Sequence, residues 1–230
     1  KAPTDCFSGP FESYDKWLKV LTQKKKNFKA AQFKKRFSKE NFNNKKQALE
    51  CRDFTYSVDD LEVEGFYLKP KIMPTTKSKK LPIVIFNRGG NARFGYVVFG
   101  KKLLFPADLA QQGYLVIGSQ YRGSSKKRIA NNGEDEFGGA DINDVTALIE
   151  LAKQIPGADL NNISLVGWSR GAMQSFVASQ SLPQVKSIVA IAGNADAEKA
   201  LSWRPEMEKV YKKRIPNFKQ NRKNELTKRS

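Results

Sequence analysis

Along residues 11–50 the apolar positions recur at helical spacing. Phe11, Tyr14, Trp17, Leu18 and Leu21 follow an i, i+3, i+4, i+7 rhythm with charged residues between them, which predicts amphipathic helix. Phe28, Phe33, Phe37 and Phe42 extend this aromatic content less regularly, as residues packed on a core rather than a binding stripe. From Cys51 the period changes. Phe54, Tyr56 and Val58 alternate, Asp59-Asp60 offers a turn, and Val63, Phe66 and Leu68 follow, so the pair reads as a hairpin. Residues 70–80 form a polar, proline-containing connection.

The next stretch has a different texture. Leu81 to Phe86 is a short continuous apolar run, as in a strand buried on both faces, and Gly113 to Gly118 is another. Residues 100–112 read as helix between them. A loop runs from Tyr121 to Gly139, and Asp141 opens a helix with Asp144 three residues on and Val145, Leu148, Ile149 and Ala152 on its apolar face. Carboxylates in a first turn satisfy free N–H groups and complement the helix dipole. Ile163 to Gly167 is a third strand, residues 170–181 a helix, and Val185 to Ala192 a fourth strand. Strands alternating with helices at this spacing predict an α/β fold with a parallel sheet.

Composition sharpens this picture in three ways. The 230 residues include 41 Lys and Arg against 23 Asp and Glu, but the excess is uneven: residues 1–80 are net +9, residues 81–200 net +2 and residues 201–230 net +7. Lys-rich stretches such as Lys24-Lys25-Lys26 sit in the flanks, so they read as solvated surface and not as a nucleic-acid face. Two cysteines, Cys6 and Cys51, have no metal-ligand spacing; one disulfide between them would suit an extracellular or periplasmic home, without excluding the cytoplasm. No apolar run approaches membrane-spanning length. Most informative, the chain has no histidine. Imidazole metal sites are excluded, and so is a catalytic triad completed by histidine within these residues.

Three motifs carry chemistry. Gly167-Trp168-Ser169-Arg170-Gly171 lies between the third strand and a helix. Small residues two before and two after a serine permit the tight strand-to-helix turn that lifts a nucleophile above the sheet edge. Asn87-Arg88-Gly89-Gly90-Asn91 directly follows the first buried strand, where glycines let backbone N–H groups approach a substrate carbonyl. In Gly133-Glu134-Asp135-Glu136-Phe137-Gly138-Gly139, the acids Glu134 and Asp135 could bind a substrate amine, pair with nearby arginines, or simply be solvated. No phosphate-binding glycine loop opens a helix, so no nucleotide, metal or other cofactor is expected.

Together with Gly118-Ser119-Gln120-Tyr121-Arg122-Gly123, these motifs make residues 50–230 resemble the catalytic domain of the prolyl oligopeptidase family, serine peptidases on the α/β-hydrolase fold. The chain thus divides into a helical segment over 1–50 and a hydrolase domain over 51–230, and the resemblance implies Ser169 as nucleophile and the Arg170 N–H as one oxyanion donor. Many relatives place Tyr or His where this chain has Arg88, which leaves the second donor open between the Arg88 side chain and a loop N–H such as that of Gly89. Relatives often carry a propeller before the hydrolase; 80 residues are too few for one. The family's acid and base follow the later strands, so the chain reads as C-terminally truncated, lacking its last strands and two triad members, and nearly inactive by itself. Asp196 comes too early to be the expected acid. The expected partner is a peptide or small-ester substrate. The expected function is peptide-bond hydrolysis through an acyl-enzyme; a carboxylesterase and a non-catalytic binding protein on the same fold are the alternatives.

Overall fold

The computed structural model describes residues 2–72 and 80–230; residues 73–79, most of the expected 70–80 connection, lie outside them. A short strand, β1 (Thr4–Asp5), precedes helices α1 (Tyr14–Lys24), α2 (Ala30–Arg36) and α3 (Lys39–Ala48). Strands β2 (Leu49–Val58) and β3 (Leu61–Pro70) follow, then β4 (Leu81–Asn87), α4 (Phe99–Lys102), α5 (Phe105–Gln111) and β5 (Leu115–Ser119). The second half runs α6 (Asp141–Thr146), α7 (Leu148–Ala152), β6 (Ala158–Trp168), α8 (Arg170–Ser179) and β7 (Val185–Ile191). It closes with α9 (Ala197–Ala200), α10 (Met207–Arg214) and α11 (Phe218–Thr227).

All strands join one sheet in the order β1-β2-β3-β5-β4-β6-β7. Strands β5, β4, β6 and β7 are parallel, and the β2–β3 hairpin extends the sheet antiparallel. The hairpin is in register from Val58–Leu61 to Leu49–Pro70. Asp59 and Asp60 take φ of 49° and 58°, the double positive-φ turn whose twist matches the strands it joins. The expected helix over 100–112 is two pieces, broken at Leu103–Leu104; Pro106 lies in the first turn of α5, where its missing N–H costs nothing.

Alternation along the buried strands divides their side chains between two cores. Val84, Phe86, Val116 and Val166 pack with α1–α5, while Ile83, Ile85, Leu115, Ile117, Ile163 and Leu165 pack with α6–α8. The N-terminal aromatics fill the first core, as expected: Trp17 meets Phe33 edge-on at 4.6 Å and Phe99 at 5.0 Å. Residues 4–48 thus share a core and, through β1, a sheet with the hydrolase-like part. On the far side, β7 pairs with β6 alone among the described residues, and Val189 is 48% exposed.

A disulfide links Cys6 to Cys51 across 45 residues, with Cα atoms 5.3 Å apart. It fastens the start of the chain to β2 beneath the aromatic core. Closing a loop of that length restricts the unfolded chain, so Cys6→Ser with Cys51→Ser is expected to lower stability by roughly 2–4 kcal/mol. Urea unfolding checks this; an unchanged midpoint would contradict it.

Candidate active site

The turn from β6 to α8 bends tightly at its serine. Ser169 sits at φ 54°, ψ −118°, outside the regions a non-glycine residue ordinarily adopts. Its neighbours make that possible. A methyl group on Gly167 would overlap the Gly171 carbonyl, and one on Gly171 would overlap the Asn87 carbonyl. The glycines two before and two after the serine are thus steric requirements. Gly193, just beyond β7, was not anticipated: a methyl there would overlap the Ala172 side chain, so a third strand end closes on the elbow.

The 87–95 loop lies directly over this turn. A methyl on Gly89 would stand 3.0 Å from the Trp168 carbonyl and 3.1 Å from the Ser169 Cβ, so the Gly89 backbone runs alongside the serine. Arg88, 2% exposed, points away from that approach. Its guanidinium donates to the carbonyls of Gln120, Gly89 (3.0 Å), Phe94 (3.2 Å) and Ala92 (2.9 Å), and stacks over Tyr121 at 4.7 Å. It therefore braces the loop from within. Burial pulls the Arg88 guanidinium down to about 10, because no carboxylate touches it.

Arg170 does with its side chain what the motif alone did not disclose. The guanidinium is buried between the rings of Phe137 (4.5 Å) and Tyr121 (5.1 Å). It donates to Asp135 at 2.7 Å, to Asp141, and to the Gly90 carbonyl at 3.1 Å. Burial opposes its charge, but Asp141 and Asp135 more than offset that and hold the group above its ordinary value. Asp135 in turn accepts from the N–H groups of Ala92 and Phe137 (2.8 Å). Burial raises its carboxyl, and Arg170 with those N–H groups outweighs burial and keeps it below the usual carboxylate range. The elbow helix, the 87–95 loop and the acidic loop are fastened through this one guanidinium.

The acidic loop therefore divides. Asp135 pairs with arginine, Glu134 pairs with Lys126, and Glu136 accepts the Ala140 N–H at 2.8 Å. Neither Glu134 nor Asp135 lines the two cavities that meet at Ser169. Asp141 accepts the N–H groups of Gly138 (3.0 Å) and Gly139 (3.2 Å), as a first-turn carboxylate should, and also holds Arg170. Asp144 is instead clasped by Arg122, whose Nη2 lies 2.7 Å from Oδ1 and 2.7 Å from Asp59 Oδ2. Asp196 caps α9 through the Lys199 N–H at 2.8 Å. No cluster of three or more His, Cys, Asp or Glu could hold a metal among the described residues.

Ser169 opens on two cavities. One, of about 380 Å³, lies between the 90–94 loop, Met173 and the segment from Ala192 to Tyr211. The other, of about 440 Å³, lies on the opposite side, under Phe94 and Trp168. The sequence had marked only the walls next to Ser169, in the 87–91 and 167–171 motifs; the others come from separate elements whose meeting only the fold brings about.

A parallel sheet with a serine elbow at a strand end, covered by a glycine loop from the adjacent strand, defines an α/β hydrolase. The sequence profile of the prolyl oligopeptidase family matches residues 105–229, and the chain belongs to that family. A curated relative, the uncharacterized peptidase YtmA of Bacillus subtilis (strain 168), is 24% identical over 178 residues, covering 77% of this chain and 64% of its own length. An acylaminoacyl peptidase in complex with Z-Gly-Gly-Phe-chloromethyl ketone superposes with a TM-score of 0.55 at 24% identity, over 72% of this chain and 27% of that one. The acetyl xylan esterase of Paenibacillus sp. R4 gives 0.54 at 13% identity, over 80% of this chain and 62% of that one. The structural likenesses carry the fold; peptidases and esterases both share it.

Proposed function

We propose that the chain carries the nucleophilic half of a serine peptidase, with Ser169 forming an acyl-enzyme from the substrate's carbonyl. The observation that carries this is the strained Ser169 backbone, φ 54°, held by glycines at 167, 171 and 193 with Gly89 alongside. Strain of this kind persists only where surrounding structure enforces it. The Ser169 Oγ attacks the carbonyl carbon, and its proton passes to a base. The oxyanion is received by the N–H groups of Arg170 and Gly89. The amine then leaves with a proton, and water releases the acyl group. Gly89 is supported over the Arg88 side chain because every donor nitrogen of Arg88 is already given to a carbonyl.

These residues contain no histidine, so an imidazole base would come from outside them. The chain spans 64% of the length of the curated relative it matches, and whole-protein activity is part of the proposal. The Cys6–Cys51 bridge supports an extracellular or periplasmic setting; no helix of the described residues is long and apolar enough to cross a membrane. Comparing a peptide p-nitroanilide with a p-nitrophenyl ester, in the presence of imidazole as base, tests the bond cleaved. Ser169-dependent anilide turnover is expected. Ester turnover alone would favour the carboxylesterase reading.

A further inference from the structure

The 440 Å³ cavity beside Ser169 combines features that the acyl-transfer reading does not use. Its walls are apolar, with Phe94, Phe105 and Trp168 all partly open to solvent; Phe94 is 79% exposed and Trp168 50%. Its charges are all positive. Arg36 arrives from the end of α2 and Lys101 from α4, and Arg88 underlies the floor. No acidic side chain lines it.

The cations at its mouth are also unpaired. Two buried lysines of α3 and α4 are by contrast neutralised, Lys45 by Asp108 at 2.6 Å and Lys102 by Asp53. Arg36 and Lys101 make no ion pair among the described residues, and all 23 acids of the chain are among those residues. Arg88 likewise meets no carboxylate: it donates to carbonyl oxygens and stacks on Tyr121. Like charges converging on an apolar hollow repel one another until an anion enters, and low-dielectric walls focus their field on the opening. The three cations line the same cavity, and the ammonium of Lys101 is pushed down by partial burial and then by Arg88 and Arg36.

We propose that this cavity is a substrate subsite for a carboxylate borne on an apolar or aromatic stem, so that one side of the scissile carbonyl carries a negative charge. As a statement about substrate it rests on the acyl-transfer reading of Ser169; as a binding site it does not. The stem packs between Phe94, Phe105 and Trp168, and the carboxylate meets Arg36 and Lys101 at the rim. The carboxylate can be a chain end or an acidic side chain, and the two are separable by probe.

The test is equilibrium binding by calorimetry, which needs no turnover. 3-Phenylpropionate is expected to bind about tenfold more tightly than 3-phenylpropionamide at low salt, with the preference shrinking at high salt. In the double variant Arg36→Met with Lys101→Met, both exposed residues, the preference should fall to within about twofold while the melting temperature is unchanged. N-acetylphenylalanine against the benzylamide of N-acetylglutamate reports whether a terminal or a side-chain carboxylate is favoured. Equal binding of acid and amide, or a preference that survives the double variant, overturns the proposal. Ser169→Ala should keep the preference intact. A Ser169 that stays unreactive in the unsubstituted chain, with the preference retained, would defeat the acyl-transfer reading alone.

Discussion

Arg170→Met is expected to destabilise the protein by about 3–5 kcal/mol, the usual cost of removing one partner from a buried ion pair. The side chains involved are essentially without solvent: 2% for Arg170 and 0% for Asp135 and Asp141. Methionine fills much of the volume between Phe137 and Tyr121, so the loss is electrostatic more than steric. It also has a pH signature. In the unchanged protein the Asp135 carboxyl is held below its ordinary value, so it contributes stability above the unfolded carboxylate range of about 4. That contribution disappears as pH falls through the lower folded value. Without the guanidinium, a buried Asp135 resists ionisation and its folded value rises. The variant should then be relatively less destabilised at pH 5 than at pH 8. Urea unfolding at both pH values checks this; a deficit independent of pH would show that packing, not charge, holds the elbow to the two loops.

The second large effect concerns rate. A serine hydroxyl is a weak nucleophile without a base to take its proton, and the chain has no imidazole to offer. Hydrolysis of an activated ester by the chain alone should fall on the order of 10⁶-fold below a complete serine triad, leaving the contribution of the oxyanion donors. Ser169 is flanked by two open cavities, so free imidazole can reach it. Added imidazole is expected to raise the rate in a saturable way, and Ser169→Ala to remove the increase. Full activity without imidazole would mean that another group in the chain serves as base.

Much of this arrangement was legible in the residues. Period-two and continuous apolar runs gave β2 to β7, and the helical spacing of Tyr14, Trp17 and Leu21 gave α1, because each pattern reflects burial on one face or two. The elbow was readable because its steric demand is local: Gly167 and Gly171 lie two residues from Ser169. The role of the Arg170 side chain was not, since Asp135 and Asp141 reach it across 35 and 29 residues. Arg88 was similar. Its position suggested a donor to substrate, whereas the fold surrounds it with carbonyls from its own loop and from Gln120. Arg36 and Lys101 carried no signal in the sequence, because nothing in the spacing of α2 and α4 says that they line one cavity.

The most direct test of the central claim is the site of reaction with a fluorophosphonate, read by intact mass and peptide mapping. A single adduct is expected on Ser169, forming slowly in the chain alone, faster with imidazole, and absent from Ser169→Ala. An adduct on another serine, or one that forms equally in Ser169→Ala, would contradict the assignment of Ser169 as the nucleophile.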